Sequence, residues 1–223
     1  MSTVRTLVAL VIGSALATAC WGSPWNLDYT FTAKCSIMND TDGTLNTSTL
    51  VKQNEGISLS LDNGSILSSR SDVYASVGAT SDNFSFDMVA RCNAVNYSDG
   101  RVDAVASFTV PETTTALRLG LSANQDPYTH PIFTRCQLTV LRQGSVIYDD
   151  SFTLDYLSDT SRSDNAVLSV VPGEALQCQV SMEGENSSYS HVQADFTAVP
   201  EPTTMFLLIL GSSALIPRRF LNT

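Results

Sequence analysis

The chain reads as all-β: one β-sandwich of the jelly-roll or Ig-like kind, flanked by an export signal and a short membrane helix. Three observations lead there. Apolar side chains recur with a period of two, which puts them on one face of a strand. Clusters of Gly, Pro, Asn and Asp break the pattern at intervals of roughly 8–12 residues. Between Trp25 and Val199 no stretch holds a helical apolar period for about ten residues.

Residues 1–19 read as a signal peptide. Arg5 is a minimal positive start, Thr6 to Ala19 is apolar, and Ala17-Thr18-Ala19 supplies small residues for cleavage. Cys20 follows directly, so three fates are open for it: lipidation, a free thiol near the new terminus, or removal by cleavage after Gly22. Trp21 and Trp25 fall at the mature N-terminus, outside the strand pattern.

The body, residues 20–198, then alternates strand and turn. Asp28 to Met38 sets Tyr29, Phe31, Ala33, Cys35 and Ile37 on one face, and Asn39-Asp40-Thr41-Asp42-Gly43 turns the chain. Strands follow at Ile57–Leu61, Val73–Val77, Phe84–Val95, Val102–Val110 and Ala116–Leu121, with Ser98-Asp99-Gly100 read as a turn. Phe133–Leu141 and Ser145–Leu154 form a hairpin about Arg142-Gln143-Gly144. Asp150 falls on the apolar register of its strand, which suggests a bulge at Asp149-Asp150. Asp155 to Asp164 is polar and loop-like. Ala166–Val171, Ala175–Met182 and His191–Val199 complete the series, with Gly184 to Ser188 as a turn. Ten to twelve strands suit one large sandwich. A division into two small domains near residues 111–115 is the competing arrangement.

The segment from Cys20 to Pro202 carries nine Lys or Arg against twenty-two Asp or Glu, a net charge of −13. Such a surface repels nucleic acid. In an exported chain, four well-separated cysteines suggest two disulfides. Cys35–Cys92 and Cys136–Cys178 keep each pair within one half of the chain; the other connectivities, and buried free thiols, stay open.

No catalytic constellation stands out. His130 lies in a turn and His191 opens a strand, but no Gly-x-Ser-x-Gly elbow accompanies either. The expectation is a non-enzyme with no cofactor. Ca²⁺ is kept only as a minor candidate, through Asp149, Asp150, Asp155 and Asp159. Asn39 to Gly43 fails the EF-hand spacing, with Met38 and Thr49 where acids are needed. Tyr97, Tyr128, Tyr156 and Tyr189 fall in loops and offer rings on which a sugar could stack.

The C-terminus is the most specific part. Val199-Pro200-Glu201-Pro202 precedes the uncharged segment 203–217, and Arg218-Arg219 follows as a basic stop. As a helix, fifteen residues reach about 23 Å, short for a hydrocarbon core of about 30 Å. The arginine pair places the tail in the cytoplasm and the body outside. The arrangement resembles the PEP-CTERM sorting signal over residues 199–223. That resemblance implies an exosortase-like membrane enzyme as partner, with Pro200, Glu201 and Pro202 as recognition residues. It also implies a membrane-anchored precursor that becomes a cell-surface or extracellular protein of an exopolysaccharide matrix or biofilm. Two other readings stand beside it: a carbohydrate-binding module, and a plainly anchored periplasmic domain.

Overall fold

A computed structural model of the protein describes residues 25–38, 42–62, 70–93, 97–126, 133–155, 160–185 and 189–200. The chain forms twelve strands and no helix among these residues. They are β1 (Asp28–Met38), β2 (Leu45–Gln53), β3 (Ile57–Asp62), β4 (Arg70–Ala79), β5 (Asn83–Asn93) and β6 (Ser98–Thr109) in the first half. The second half holds β7 (Thr114–Gln125), β8 (Phe133–Arg142), β9 (Ser145–Asp155), β10 (Ser161–Ser169), β11 (Ala175–Glu185) and β12 (Ser190–Pro200). Sheet I has the order β2-β1-β6-β11-β8-β9, and sheet II the order β10-β7-β12-β5-β4-β3. The fold is a β-sandwich.

Each half contributes three adjoining strands to each sheet, and the halves join through β6–β11 and β5–β12. Residues 111–115 therefore mark the crossing between halves of one sandwich with one continuous core. Every paired strand is antiparallel, so odd strands run one way and even strands the other. The odd-to-even connections leave from one end, here the top. The even-to-odd turns, Trp25 before β1 and Pro200 closing β12 all lie at the base.

The alternation read from the sequence becomes the core. Phe31, Ala33, Cys35 and Ile37 of β1, and Phe84, Phe86, Met88, Ala90 and Cys92 of β5, are buried between the sheets. The β8–β9 hairpin turns through Gln143 (φ 51°) and Gly144 (φ 79°), the two positive dihedrals of a type I′ turn. Its bulge lies two residues earlier than expected. Val140 pairs with Tyr148 and Leu141 with Val146, so Ile147 is the extra residue and Asp150 stays opposite Leu138.

Two strands extend beyond their apolar signal. β2 is an edge strand with a largely exposed, polar sequence, and the first half of β10 is equally polar. Both are held by their neighbours' backbone ladders, which polar side chains do not oppose. Ser98-Asp99-Gly100, read as a turn, instead opens β6, and Gly184, read as the start of a turn, is the second-last residue of β11.

Those two glycines explain the shape of the core. Gly100 and Gly184 sit directly opposite each other on β6 and β11. A Cβ at Gly100 would lie 2.7 Å from Val73 Cγ1 and 3.1 Å from Cys92 Sγ; one at Gly184 would lie 2.8 Å from Ser190 Oγ. The bare backbone of sheet I thus lets sheet II approach closely near the top. At the base, the bulky Trp25, Phe84, Phe108 and Phe196 fill the space between the sheets, with Phe84 and Phe196 stacked at 4.4 Å and 9°. Gly100→Ala must displace the stiff, fully buried Val73 side chain, and the expected loss is about 1–3 kcal/mol. Urea unfolding reads it; a neutral result would show that the sheets part freely there.

The two-disulfide expectation is corrected. Cys35, Cys92, Cys136 and Cys178 are all buried free thiols. Cys136 is opposite Met182 and Cys178 opposite Val140, four positions apart on neighbouring strands. That offset is about 13 Å at 3.3 Å per residue, against the 4.4–6.8 Å a disulfide spans between Cα atoms. Cys35 and Cys92 face the same region from opposite sheets but bond elsewhere. Cys35 Sγ donates to Leu59 O at 3.6 Å and Cys92 Sγ to Gly184 O at 3.3 Å. Burial pushes the Cys92 and Cys136 thiols up to about 12, so both stay protonated and unreactive.

Candidate functional site

Of the sorting motif, Val199 and the backbone of Pro200 are described, as the last residues of β12. Beyond Thr197, opposite Asn83, the pairing of β12 with β5 ends; the pairing with β7 continues through a register shift between Val199 and Pro200. A proline, which has no N–H to donate, suits a strand end with one free side. Glu201, Pro202, the segment 203–217, Arg218 and Arg219 lie outside the described residues, as do residues 1–19 and Cys20. Among the described residues no helix is long and apolar enough to cross a membrane.

The Asp groups weighed for Ca²⁺ are engaged locally. Asp149 accepts bonds from Gln137 Nε2 (2.9 Å) and Thr139 Oγ1 (2.7 Å), which hold its carboxyl below the usual range. Asp150 accepts from the Tyr148 hydroxyl at 3.3 Å. Asp42 accepts from the Thr44 backbone and hydroxyl and closes its own turn. Among the described residues no three His, Cys, Asp or Glu side chains are placed to hold a metal. Asp159 lies outside those residues.

Two outward faces carry polar structure. On sheet I a depression of about 390 Å³ is lined by Arg101, Arg135, Gln137, Thr153, Ser181 and Glu183. Its charges are largely committed to one another. Arg101 forks onto Asp103 at 2.8 and 2.9 Å, and Arg135 reaches Glu183 at 3.6 Å while lying over the Phe133 ring.

Sheet II presents the richer arrangement near the top of its outer face. Ladder register places Tyr74 opposite Val89, Val89 opposite His191, and His191 opposite Asn124. Val89 points outward yet is only 3% exposed. The side chains around it therefore form a roof. Arg91 places its guanidinium 5.7 Å from the Tyr74 ring centre and 5.8 Å from that of Tyr189. Such a cation between two aromatic faces holds both rings in place. His191 Nε2 lies 3.0 Å from Asp87 Oδ1, and its Nδ1 lies 3.4 Å from Asn124 Nδ2. Tyr74 remains 37% exposed.

Of the loop tyrosines, Tyr189 joins this cluster. Tyr97 lies beside Asp99, Glu183 and Glu185, and with burial they push its hydroxyl up to about 12. Tyr128, Tyr156 and His130 lie outside the described residues. Trp25 precedes β1, outside the strands as read, yet it is fully buried between Phe84 and Phe108 and belongs to the core. Tyr74, Arg91, Asp87 and Asn124 were missed as site residues. Their only sequence signal is an outward register on β4, β5 and β7, and that does not say which strands are neighbours.

A scan against protein-family models and a search of curated proteins return no match. Solved structures give distant likenesses. The enzymatically active domain of bacteriophage CBA120 tailspike protein 4 is 14% identical, with a TM-score of 0.32, covering 66% of this chain and 20% of that one. TmCBM61 in complex with β-1,4-galactotriose is 14% identical, with a TM-score of 0.28, covering 65% and 88%. The family 11 carbohydrate-binding module from Clostridium thermocellum, with a mixed-linked tetrasaccharide, is 9% identical, with a TM-score of 0.28, covering 76% and 98%. This chain spans about a fifth of the length of the tailspike domain. Likeness at this level carries no argument about activity.

Proposed function

We propose that the protein is an exported, non-enzymatic component of the cell surface or extracellular matrix. An exosortase-like membrane enzyme handles it at its C-terminal signal, and it works in association with exopolysaccharide. The carrying observation is that β12, the last strand, ends at Pro200, so the Val199-Pro200-Glu201-Pro202 motif begins at the end of the described sandwich. β1 also starts at the base, so a sandwich tethered through its C-terminal segment turns its top away from the membrane. That polarity supports a body displayed outward.

The test is intact mass and cell fractionation of the protein from its host, with and without Pro200, Glu201 and Pro202 changed together to Ala. The wild type is expected to lose the residues after about Pro202 and leave the inner membrane, while the variant keeps its tail. If both keep the tail and stay in the inner membrane, the motif is only a stalk on an anchored periplasmic domain. A second reading, a carbohydrate-binding module, is favoured by the Tyr74–Arg91–Tyr189 cluster on the outward-facing half of sheet II.

A further inference from the structure

We propose that Tyr74, Arg91, Tyr189, His191, Asp87 and Asn124 form a binding site for an uncharged, pyranose-based glycan. The inference rests on the carbohydrate-binding reading and adds the site and the ligand class to it. It does not depend on how the tail is processed.

The two tyrosine rings offer flat apolar surface, on which the C–H face of a pyranose packs as it does on other aromatic platforms. Their positions are set before any ligand arrives, because Arg91 lies against both rings and approaches the Tyr74 hydroxyl at 3.5 Å. Pre-ordering reduces the entropy lost on binding. The Tyr189 ring continues toward His191, with centres 6.3 Å apart and planes tilted by 36°. Burial and the nearby Tyr74 and Asp87 push the Tyr189 hydroxyl up, so it stays a donor at neutral pH.

Beside this apolar surface stand groups suited to neighbouring hydroxyls. Asp87, half exposed, offers acceptors; Arg91 and Asn124 offer donors; His191 offers one ring nitrogen toward each of Asp87 and Asn124. A neutral polyol both donates and accepts, so it can satisfy this mixed set.

Charge decides against an acidic glycan. Asp72 is directly opposite Arg91 in the ladder, Asp87 bonds His191, and the Asp126 backbone N–H donates to Tyr189 O at 3.1 Å. Arg70 is already committed to Asp72 at 2.6 Å. A uronate would therefore meet one guanidinium amid three carboxylates, on a body whose net charge is already negative.

The experiment uses the exported protein recovered from its host. It is titrated calorimetrically with uncharged gluco-, galacto- and manno-configured oligosaccharides, and with oligogalacturonates, at low salt. At least one uncharged series is expected to bind. Tyr74→Ala and Tyr189→Ala should each weaken it about tenfold, the size of one lost ring contact. Tyr74→Phe, which keeps the ring, should bind nearly as the wild type does and so separates stacking from damage to the fold. Arg91→Lys should weaken binding although the charge remains, because the planar group that holds the rings is gone. Preference for the oligogalacturonates would overturn the ligand class. Binding of an uncharged series that ignores both Tyr→Ala changes would overturn the site while leaving the carbohydrate reading intact. No binding to any series would overturn both.

Discussion

Trp25→Ala is expected to lower stability by about 3–5 kcal/mol, the range for deleting a large aromatic from a core. Trp25 precedes β1, but its side chain is fully buried at the base of the sandwich. The ring meets Phe84 edge-on at 5.0 Å and Phe108 at 6.1 Å, and its carbonyl accepts the Thr109 N–H at 2.8 Å. Removing it leaves a cavity in the aromatic cluster, where Phe31, Phe86 and Phe196 cannot all shift inward because each is fixed on its own strand. The indole Nε1 is buried without a hydrogen-bond partner among the described residues. Trp25→Phe removes that stranded donor while keeping an aromatic ring, so it should cost far less than Trp25→Ala. Urea unfolding at matched m-values distinguishes the two; equal losses would mean that the indole's volume matters and its orphan donor does not. A chain trimmed past Trp25 should be unstable for the same reason.

Asp99→Asn is expected to stabilise the protein at pH 7 by about 2–3 kcal/mol and to have a far smaller effect at pH 4. Asp99 lies on β6 with Ser36 opposite on β1 and Glu185 opposite on β11. It is buried, and its Oδ1 has no hydrogen-bond partner among the described residues. Burial first, then Glu183, push its carboxyl from 3.8 to about 6, only partly offset by Lys34 and Arg101; Glu185 adds to the rise. The folded state therefore holds this proton more tightly than the unfolded chain does. Well below the ordinary value of 3.8 both states are protonated and the site carries no penalty. Between about pH 4 and 6 the unfolded chain gives up this proton while the folded state keeps it, so stability falls through that window and levels off once the buried carboxyl ionises. A rise of about two units corresponds to roughly 3 kcal/mol at neutral pH. Asparagine stays neutral at every pH, and its amide can donate to Glu185 or Glu183. Unfolding measured at pH 4 and pH 7.5 tests this; an equal gain at both would show that volume, not charge, sets the effect.

Much of the architecture was legible in short-range pattern. β1 begins and ends where its alternation does, and the Gln143-Gly144 hairpin is signalled by Gly144, which adopts positive φ freely. β2 and the start of β10 were not legible, because an edge strand can be polar on both faces while its neighbour's ladder holds it. The glycines at 100 and 184 were misread for a related reason. Glycine marks a turn when its freedom is used for φ, and a strand when its missing Cβ lets another sheet approach. Only the opposite sheet decides which.

The sequence by itself determined that the chain is built of strands, which faces are apolar, how acidic the body is, and that an uncharged segment ending in Arg218-Arg219 follows Pro200-Glu201-Pro202. Each depends on residues adjacent along the chain, where a period of two or a run of uncharged residues acts directly. Tertiary structure alone decided that Cys136 and Cys178 are four ladder positions apart, and that Trp25 plugs the base. It also set Tyr74, Arg91 and Tyr189, from three separate segments, side by side. These outcomes depend on which strands pair and in what register. That choice comes from burying the whole apolar surface at once, and no local stretch of sequence encodes it.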